Sequence, residues 1–170
     1  MSIFETAFAV VVGVEGGYDA SAHDPGNWTG GAVGRGVLRG TKFGISAAAY
    51  PSLDVAGLTL DQARVLYRAG YWNPLCGDLL PAPVAMIAFD CAVNQGVSAA
   101  RIILQQAADV AVDGAIGPVT VAAVNRASPA ALVVDIAARR ALRYAQGDMA
   151  AYGLGWMRRL ITVAQQAFKL

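Results

Sequence analysis

The sequence predicts an all-α protein, α+β at most, with one irregular glycine-rich lobe near its front. Apolar residues recur at helical spacing through most of the chain after residue 59, and capping residues or prolines precede most of these runs. Residues 16–44 are instead so dense in glycine that they cannot form a regular helix. No repeat or low-complexity linker divides the 170 residues, so we expect them to pack as one globular unit.

The first predicted helix covers residues 2–15. Ser2 is a suitable N-cap, and Glu5 three positions later completes a capping box. The run that follows is largely apolar until Glu15, after which Gly16-Gly17 allows the backbone to turn away. A carboxylate beside that much hydrocarbon tends to keep its proton, which makes Glu15 a candidate general acid. The alternative is a solvated residue in the last helical turn, with the two glycines as its cap.

The glycine-rich lobe also carries polar and aromatic side chains, which favours an ordered structure. We expect short strands or a small hairpin around residues 28–43, where Trp28 and Phe43 provide apolar surface to bury. A short helix is predicted over residues 45–50, because Pro51 would stop it there.

Helices are predicted through the rest of the chain. Their start signals include a capping box at Thr59, Pro83 in a first turn, a Ser98 cap and the pair Ser128-Pro129. The helix after Pro83 is apolar on nearly every face, as a central helix would be. Residues 71–74 form a loop with two exposed aromatic side chains. The predicted helices cover residues 59–69, 84–95, 98–110, 118–125, 128–146 and 154–168.

Composition excludes several classes of protein. Hydrophobic residues make up 56% of the chain and mean hydropathy is +0.46, but the longest apolar runs are far shorter than the roughly 18 to 20 residues of a membrane span. We therefore expect no stable membrane insertion. A net charge of +1 argues against a partner as anionic as nucleic acid. The first apolar segment has no Lys or Arg before it, so we expect no secretory signal peptide.

Two cysteines and one histidine offer little for metal or thiol chemistry. Cys76, Cys91 and His23 form no ligand cluster, so neither a metal nor a cofactor is expected. A cysteine hydrolase using His23 remains an alternative, although Cys91 lies in an apolar context and Cys76 has no cationic neighbour in sequence. Spacing does not reveal whether the cysteines form a disulfide.

Two acidic residues in contrasting surroundings suit glycoside hydrolysis. That reaction needs one protonated carboxylic acid and a second polar group that activates water or stabilises the sugar cation. Glu15 follows an apolar helix, and Asp24 lies nine positions later in a polar loop. The alternative for Asp24 is a turn with Pro25-Gly26, held by its own carboxylate.

An ordered series of motifs resembles glycoside hydrolase family 108, the phage and bacterial N-acetylmuramidases with an EGGY signature. The resemblance covers nearly the whole chain and implies a lysozyme-like helical body, with a catalytic region over residues 1–97 and a peptidoglycan-binding-like helical segment over residues 98–170. By this resemblance the essential acid is Glu15. The motifs are Glu15-Gly16-Gly17-Tyr18, Asp24-Pro25-Gly26, Gly40-Thr41-Lys42-Phe43-Gly44-Ile45, Tyr71-Trp72-Asn73-Pro74, residues 89–96 and residues 113–120.

A more distant similarity to phage-type lysozymes implies the remaining roles. Those enzymes place an Asp nine residues after the Glu and a Thr before a Gly-Ile pair, which here correspond to Asp24 and Thr41. The resemblance implies that Glu15 protonates the glycosidic oxygen while Asp24 and Thr41 position water. The long insert before Thr41 keeps Thr29 as a rival, and Asn27 replaces the family's usual second glycine. Whether the reaction inverts or retains the anomeric centre stays open.

Sugar chemistry suggests further contacts, each with core packing as its alternative. Apolar sugar faces stack on aromatic rings, and hydroxyl and acetamide groups need hydrogen-bond partners. The candidate stacking residues are Tyr18, Trp28, Tyr71 and Trp72, and the candidate polar contacts are Asn73, Asn94 and Gln95.

Several charged residues invite structural explanations. Asp90 is expected to satisfy buried helix ends, and Asp113 to hold its own turn. Arg139, Arg140 and Arg143 either meet carboxylates of wall peptides or form a solvated face.

The resemblance implies a monomeric endolysin that acts on peptidoglycan glycan strands. It would be made in the host bacterial cytoplasm without a signal peptide, act at the periplasmic peptidoglycan and depend on a holin to reach it. The alternative is a non-catalytic peptidoglycan-binding or wall-remodelling secretion protein on the same scaffold.

Overall fold

A computed structural model describes residues 1–13 and 17–170 and shows the mostly helical fold that the sequence predicts. Close contacts divide the chain into a helical unit, residues 1–11 and 68–170, and a lobe, residues 12–67. The described helices are α1 (Ile3–Val11), α2 (Leu60–Tyr67), α3 (Ala82–Gln95), α4 (Val97–Ala107), α5 (Pro118–Arg126), α6 (Pro129–Tyr144) and α7 (Met149–Ala167); the strands are β1 (Thr41–Lys42) and β2 (Ile45–Ser46).

Helix α3 is the centre of the helical unit, as its apolar sequence predicts. Every residue from Val84 to Ala92 is buried, and α1, α4, α6 and α7 all pack against this helix. A stretch buried on all sides must be apolar all round, which explains the lack of an amphipathic pattern. Among the described helices, none alone is long and apolar enough to cross a membrane, although α5 and α6 together reach that composition across a 114° bend.

A buried ion cluster joins four helices around Asp90. Arg140 of α6 donates to one carboxylate oxygen at 2.6 Å, and Arg159 of α7 donates to the other at 2.7 and 2.8 Å. Arg159 also donates to the backbone carbonyl of Val11, at the C-terminal end of α1. Asp90 therefore has a structural role, as expected, but its partners are arginine side chains rather than the backbone groups at helix ends. Arg140 is fully buried, so it belongs neither to a solvated face nor to a surface that meets wall peptides.

The prediction that both aromatic residues of segment 71–74 are exposed is wrong for Trp72. A π-helical turn over Arg68–Trp72 leads into a 3₁₀ turn over Asn73–Leu75, and the Trp72 side chain is 0% exposed. Its ring packs edge-on against Phe4 at 5.3 Å and Phe89 at 5.6 Å, and its N–H donates to Asp78 at 3.0 Å. Because the cluster satisfies both the apolar ring and the polar N–H, burial is the stable arrangement.

Helix α1 ends earlier than the sequence suggests. The backbone N–H of Glu5 bonds the Ser2 hydroxyl, as the predicted N-cap requires, but the helix stops at Val11 rather than at residue 15. Gly13 has a φ of +78°, the left-handed conformation that commonly ends helices. Glu15 lies outside the described residues, with Val14 and Gly16.

Strand β2 and the turn after it replace the helix predicted at residues 45–50. Phe43 and Gly44 both have positive φ, 51° and 73°, and form a two-residue turn between β1 and β2. Such turns match the twist of antiparallel strands, so Ile45 continues in an extended conformation. Within the predicted range of 28–43, an isolated bridge joins Trp28 to Leu38 and β1 covers Thr41–Lys42, so the hairpin at residues 41–46 begins inside that range and ends beyond it.

The predicted helices of the C-terminal half all occur, with shifted ends. Helix α7 begins at Met149 instead of residue 154, because the Asp148 side chain caps it by accepting the N–H of Ala151 at 2.9 Å. Asp113 holds its turn as expected: its carboxylate accepts the amide of Gln105 at 2.6 Å and the N–H of Ala115 at 2.9 Å.

Candidate active site

Asn27 organises the lobe around the predicted catalytic residues. Its side chain is 0% exposed, and its amide group donates to the Asp19 carboxylate at 2.9 Å and to the carbonyl of Ser21 at 3.0 Å. Its side-chain oxygen accepts the hydroxyl of Thr41 at 2.7 Å. Its backbone carbonyl accepts the N–H groups of Arg39 and Gly40. A fully satisfied buried amide of this kind fixes a unique local arrangement.

Thr41 is held by both its backbone and its side chain. It begins β1, and its backbone exchanges two hydrogen bonds of 2.7 and 2.9 Å with Asp19. Because the hydroxyl proton goes to Asn27, the oxygen keeps lone pairs that can accept a hydrogen bond. Thr29 has a different role, since its hydroxyl accepts the N–H of Val37 and closes the loop between the two.

Asp24 is exposed and only partly engaged. One carboxylate oxygen accepts the N–H of Gly26 at 2.8 Å, which caps the short 3₁₀ turn Pro25–Asn27. The other oxygen has no hydrogen-bond partner in the described part of the chain. The turn predicted as the alternative for Asp24 is therefore present, and it still leaves one oxygen open. The N–H of Asn27 donates to the Asp24 carbonyl, so Asp24 and Thr41 are anchored to the same residue.

Asp19 is a second acidic residue at this site that the sequence patterns did not single out. Its carboxylate is engaged at both oxygens, by the N–H of Ser21 and by the amide of Asn27. Asp19 comes next to Thr41 only through strand-like pairing of residues 22 positions apart in the chain. No short sequence motif predicts such a pairing, because the register between the two segments depends on the fold of the whole lobe.

Aromatic residues of the lobe lie at its surface. Tyr18 is 47% exposed, and its hydroxyl donates to the carbonyl of Arg39. Its ring lies over Gly40, where a Cβ would come within 2.5 Å of the ring. Tyr18 also borders a cavity of about 340 Å³, lined by residues of the lobe. Trp28 is half-buried, and its N–H donates to the carbonyl of Ala22.

The other predicted substrate contacts lie in the helical unit. Trp72 is enclosed in the core, so the prediction that its face stacks on a sugar is wrong. Tyr71 is half-buried and Asn73 is exposed. At the end of α3, exposed Asn94 accepts the hydroxyl of Tyr144, and Gln95 donates to the carbonyl of Arg140 at 3.3 Å.

The cysteines are poorly suited to nucleophilic catalysis. Both are free thiols. Burial raises the pKa of the Cys91 thiol to about 11, which keeps it protonated at neutral pH. The Cys76 thiol donates to the carbonyl of Ile116. Among the described residues no group of three or more His, Cys, Asp and Glu side chains could hold a metal ion.

Comparison with known families divides the chain into two adjoining matches. Residues 8–96 match the family model described as Glycosyl hydrolase 108, and residues 97–161 match the model described as Predicted Peptidoglycan domain. Among solved structures, the chain is similar to that of Brucella abortus SagA, with a TM-score of 0.80 and 30% sequence identity over 98% of this chain and 94% of that one. No curated protein matches the chain.

Proposed function

This chain belongs to glycosyl hydrolase family 108, and from that premise we propose that it is an N-acetylmuramidase. The family and the peptidoglycan domain behind it make the protein a glycosidase that acts on peptidoglycan. Our proposal specifies which bond it cleaves: the β-1,4 linkage from N-acetylmuramic acid to N-acetylglucosamine.

The hydrogen-bond network around Asn27 carries the proposal. It presents an acceptor oxygen on Thr41 and an open carboxylate oxygen on Asp24, both anchored to one buried residue. Two acceptors in one preorganised lobe are what a nucleophilic water requires, since each can take one of its protons in a hydrogen bond. Asp19 is less suited, because both of its oxygens already have partners.

In the proposed reaction Glu15 is the general acid. Its proton passes to the glycosidic oxygen as the bond from that oxygen to the anomeric carbon breaks. Water held by Thr41 and Asp24 adds to the anomeric carbon and gives its proton to Asp24. The products are two shorter glycan strands, one ending in a reducing N-acetylmuramic acid. This direct attack by water inverts the anomeric centre and suits carboxyl groups roughly 6.5 to 9.5 Å apart. At about 5 Å the Asp24 carboxylate would instead attack the anomeric carbon itself, and water would then hydrolyse the resulting glycosyl-enzyme with overall retention.

We propose the substrate contacts that sugar chemistry suggested from the sequence, except for Trp72, which is buried. Tyr18 and Trp28 offer partly exposed rings in the lobe. The half-buried Tyr71 is proposed as a further ring contact, and Asn73, Asn94 and Gln95 as polar contacts.

We further propose a division into a catalytic region, residues 1–97, and a peptidoglycan-binding segment, residues 98–170. A monomeric endolysin with this arrangement would be made in the host cytoplasm and act on the periplasmic wall after a holin opens the membrane. The resemblance to phage muramidases supports this biological setting.

Lysis of purified cell walls by full-length variants tests the catalytic assignment. We expect Glu15→Gln and Asp24→Asn to lose lysis by at least about 100-fold, the usual contribution of general acid or base catalysis. Asp19→Asn is the matched control: its one side-chain oxygen can still accept the amide of Asn27, only the hydrogen bond from the N–H of Ser21 is lost, and it should keep most of the activity. Near-normal lysis by Glu15→Gln with a native circular dichroism spectrum would disprove the mechanism. Wall binding without any lysis by the wild type would indicate a non-catalytic binding protein.

A further inference from the structure

The three arginines of α6 have three different environments. Arg140 is buried against Asp90. Arg139 pairs with Asp135 at 2.7 Å. Arg143 is exposed and makes no hydrogen bond or ion pair to any described residue. Of the three, Arg143 alone is therefore free to bind an anion.

Arg143 stands between two recesses of the helical unit. One, of about 300 Å³, lies along α4 and α6 and has a mixed lining, with Ile102 and Leu142 as its exposed apolar residues. The other, of about 200 Å³, is termed here the aromatic recess. Its lining residues are Asn94, Gln95, Arg143, Tyr144, Gly147 and Trp156.

Two stacked aromatic rings form one side of the aromatic recess. The ring of Tyr144 lies parallel to that of Trp156, with a centroid distance of 5.1 Å and an angle of 13°. Tyr152, which does not line the recess, contacts the indole at 5.6 Å with a tilt of 31°. Gly147 makes room for the indole, because a Cβ there would lie 3.0 Å from it. A half-buried indole held by its neighbours offers apolar surface to a sugar.

Asn94 supplies a polar edge beside the rings. Its side-chain oxygen accepts the hydroxyl of Tyr144, which fixes the orientation of the amide. The amide N–H groups have no partner in the part of the chain that the structure describes. An acetamide carbonyl is a matching acceptor for such donors.

We propose that the aromatic recess binds N-acetylmuramic acid together with the start of its peptide stem. The sugar ring packs against the exposed part of Trp156, Asn94 donates to the acetamide carbonyl, and Arg143 binds a carboxylate of the stem. This combination of ring, acetamide and carboxylate distinguishes N-acetylmuramic acid with its stem from plain N-acetylglucosamine polymers. The inference rests on the proposed function, which already names Asn94 and Gln95 as substrate contacts, and it assigns the recess that they line to one sugar and its peptide stem.

The test is isothermal titration calorimetry with three soluble probes and the full-length chain. The probes are the disaccharide-peptide GlcNAc-MurNAc-peptide, the free stem peptide, and diacetylchitobiose, which has rings and acetamides but no carboxylate. The disaccharide-peptide lacks the bond from N-acetylmuramic acid to N-acetylglucosamine, so the wild type can be titrated without turnover.

Arg143→Gln should weaken binding of the disaccharide-peptide and of the stem peptide by about threefold to fivefold, as expected for an exposed ion pair. Its affinity for diacetylchitobiose should not change. Trp156→Leu should weaken binding of both sugar probes by about fivefold to tenfold and leave the stem peptide unaffected. Arg158→Gln is the matched control, because Arg158 is exposed two positions from Trp156 on α7 and is not part of the recess lining. It should bind all probes as the wild type does.

Wild-type affinities for all probes in both Arg143→Gln and Trp156→Leu would overturn the inference, as would equal losses in Arg143→Gln and Arg158→Gln. If Trp156→Leu does not fold, Trp156→Phe keeps a smaller ring against Tyr144 and should still weaken binding of both sugar probes. The two proposals fail separately. Loss of lysis in Glu15→Gln with unaltered probe binding by Arg143→Gln removes only this inference, whereas sustained lysis by Glu15→Gln removes only the catalytic mechanism.

Discussion

Replacing Asp90 by asparagine should be among the most destabilising isosteric changes in the helical unit. The substitution keeps the side-chain shape but removes the negative charge that lies between Arg140 and Arg159. Breaking a buried ion pair from one side costs about 3 to 5 kcal/mol, because an uncompensated charge stays in the interior. Arg159 is 34% exposed and water screens its share, so we expect a loss of about 3 kcal/mol. In a chain of this size that lowers Tm by about 6 to 12 °C.

Asp135→Asn is the matched control for this measurement. Asp135 also pairs with an arginine of α6 at 2.7 Å, but both side chains of that pair are partly exposed. Removing its charge should cost no more than about 0.5 kcal/mol, and salt should reduce even that. Urea and thermal unfolding followed by circular dichroism at pH 7 would measure both variants. If Asp90→Asn and Asp135→Asn unfold within about 1 kcal/mol of each other, the buried cluster does not hold the helices as argued.

Further predictions concern the lobe and two titratable side chains. Thr41→Val should lower kcat for wall lysis by about 100-fold, whereas Thr41→Ser should keep most of the wild-type kcat. Equal activity of these two variants would contradict the role of the hydroxyl. Asn27→Ala should lower both kcat and Tm. At pH 8 a thiol reagent should modify Cys76 well before Cys91 in the native protein, because the pKa of Cys91 is raised to about 11; faster labelling of Cys91 would refute its burial. Hydrogen bonds from the Gln105 side chain and from a backbone N–H lower the pKa of Asp113 below 3.8. Its ionised form therefore stabilises the fold above pH 3.8, and this stabilisation is lost as pH falls through the lowered pKa. The difference in unfolding free energy between wild type and Asp113→Asn should shrink between pH 5 and pH 2, and a constant difference would exclude this linkage.

Local signals in the sequence were enough for most of the helical unit. Ser128 followed by Pro129 marks the start of α6, and the Ser128 hydroxyl does accept the N–H of Ala131. The apolar residues before Asp90 in α3 identify a helix buried on all sides. Such features depend on a few neighbouring residues, which is why sequence alone reveals them.

Features that depend on distant contacts were not predictable. Trp72 has the neighbours of a loop residue in sequence, and only the packing of Phe4 and Phe89 reveals that it is buried. In the site, Asp24 and Thr41 could be identified by resemblance, but not the buried Asn27 that anchors them. Its position had been noted only as a departure from the family's usual glycine. An amide there joins segments far apart in the chain, and no local pattern encodes that role.

The products released from purified peptidoglycan test the central claim most directly. After digestion by the wild type, borohydride reduction and mass spectrometry, we expect fragments whose reduced end is N-acetylmuramic acid, with their peptide cross-links intact. The folded Glu15→Gln variant should release none of them. Fragments ending in reduced N-acetylglucosamine, cleaved peptide cross-links, or full product release by Glu15→Gln would contradict an N-acetylmuramidase that uses Glu15 as its acid.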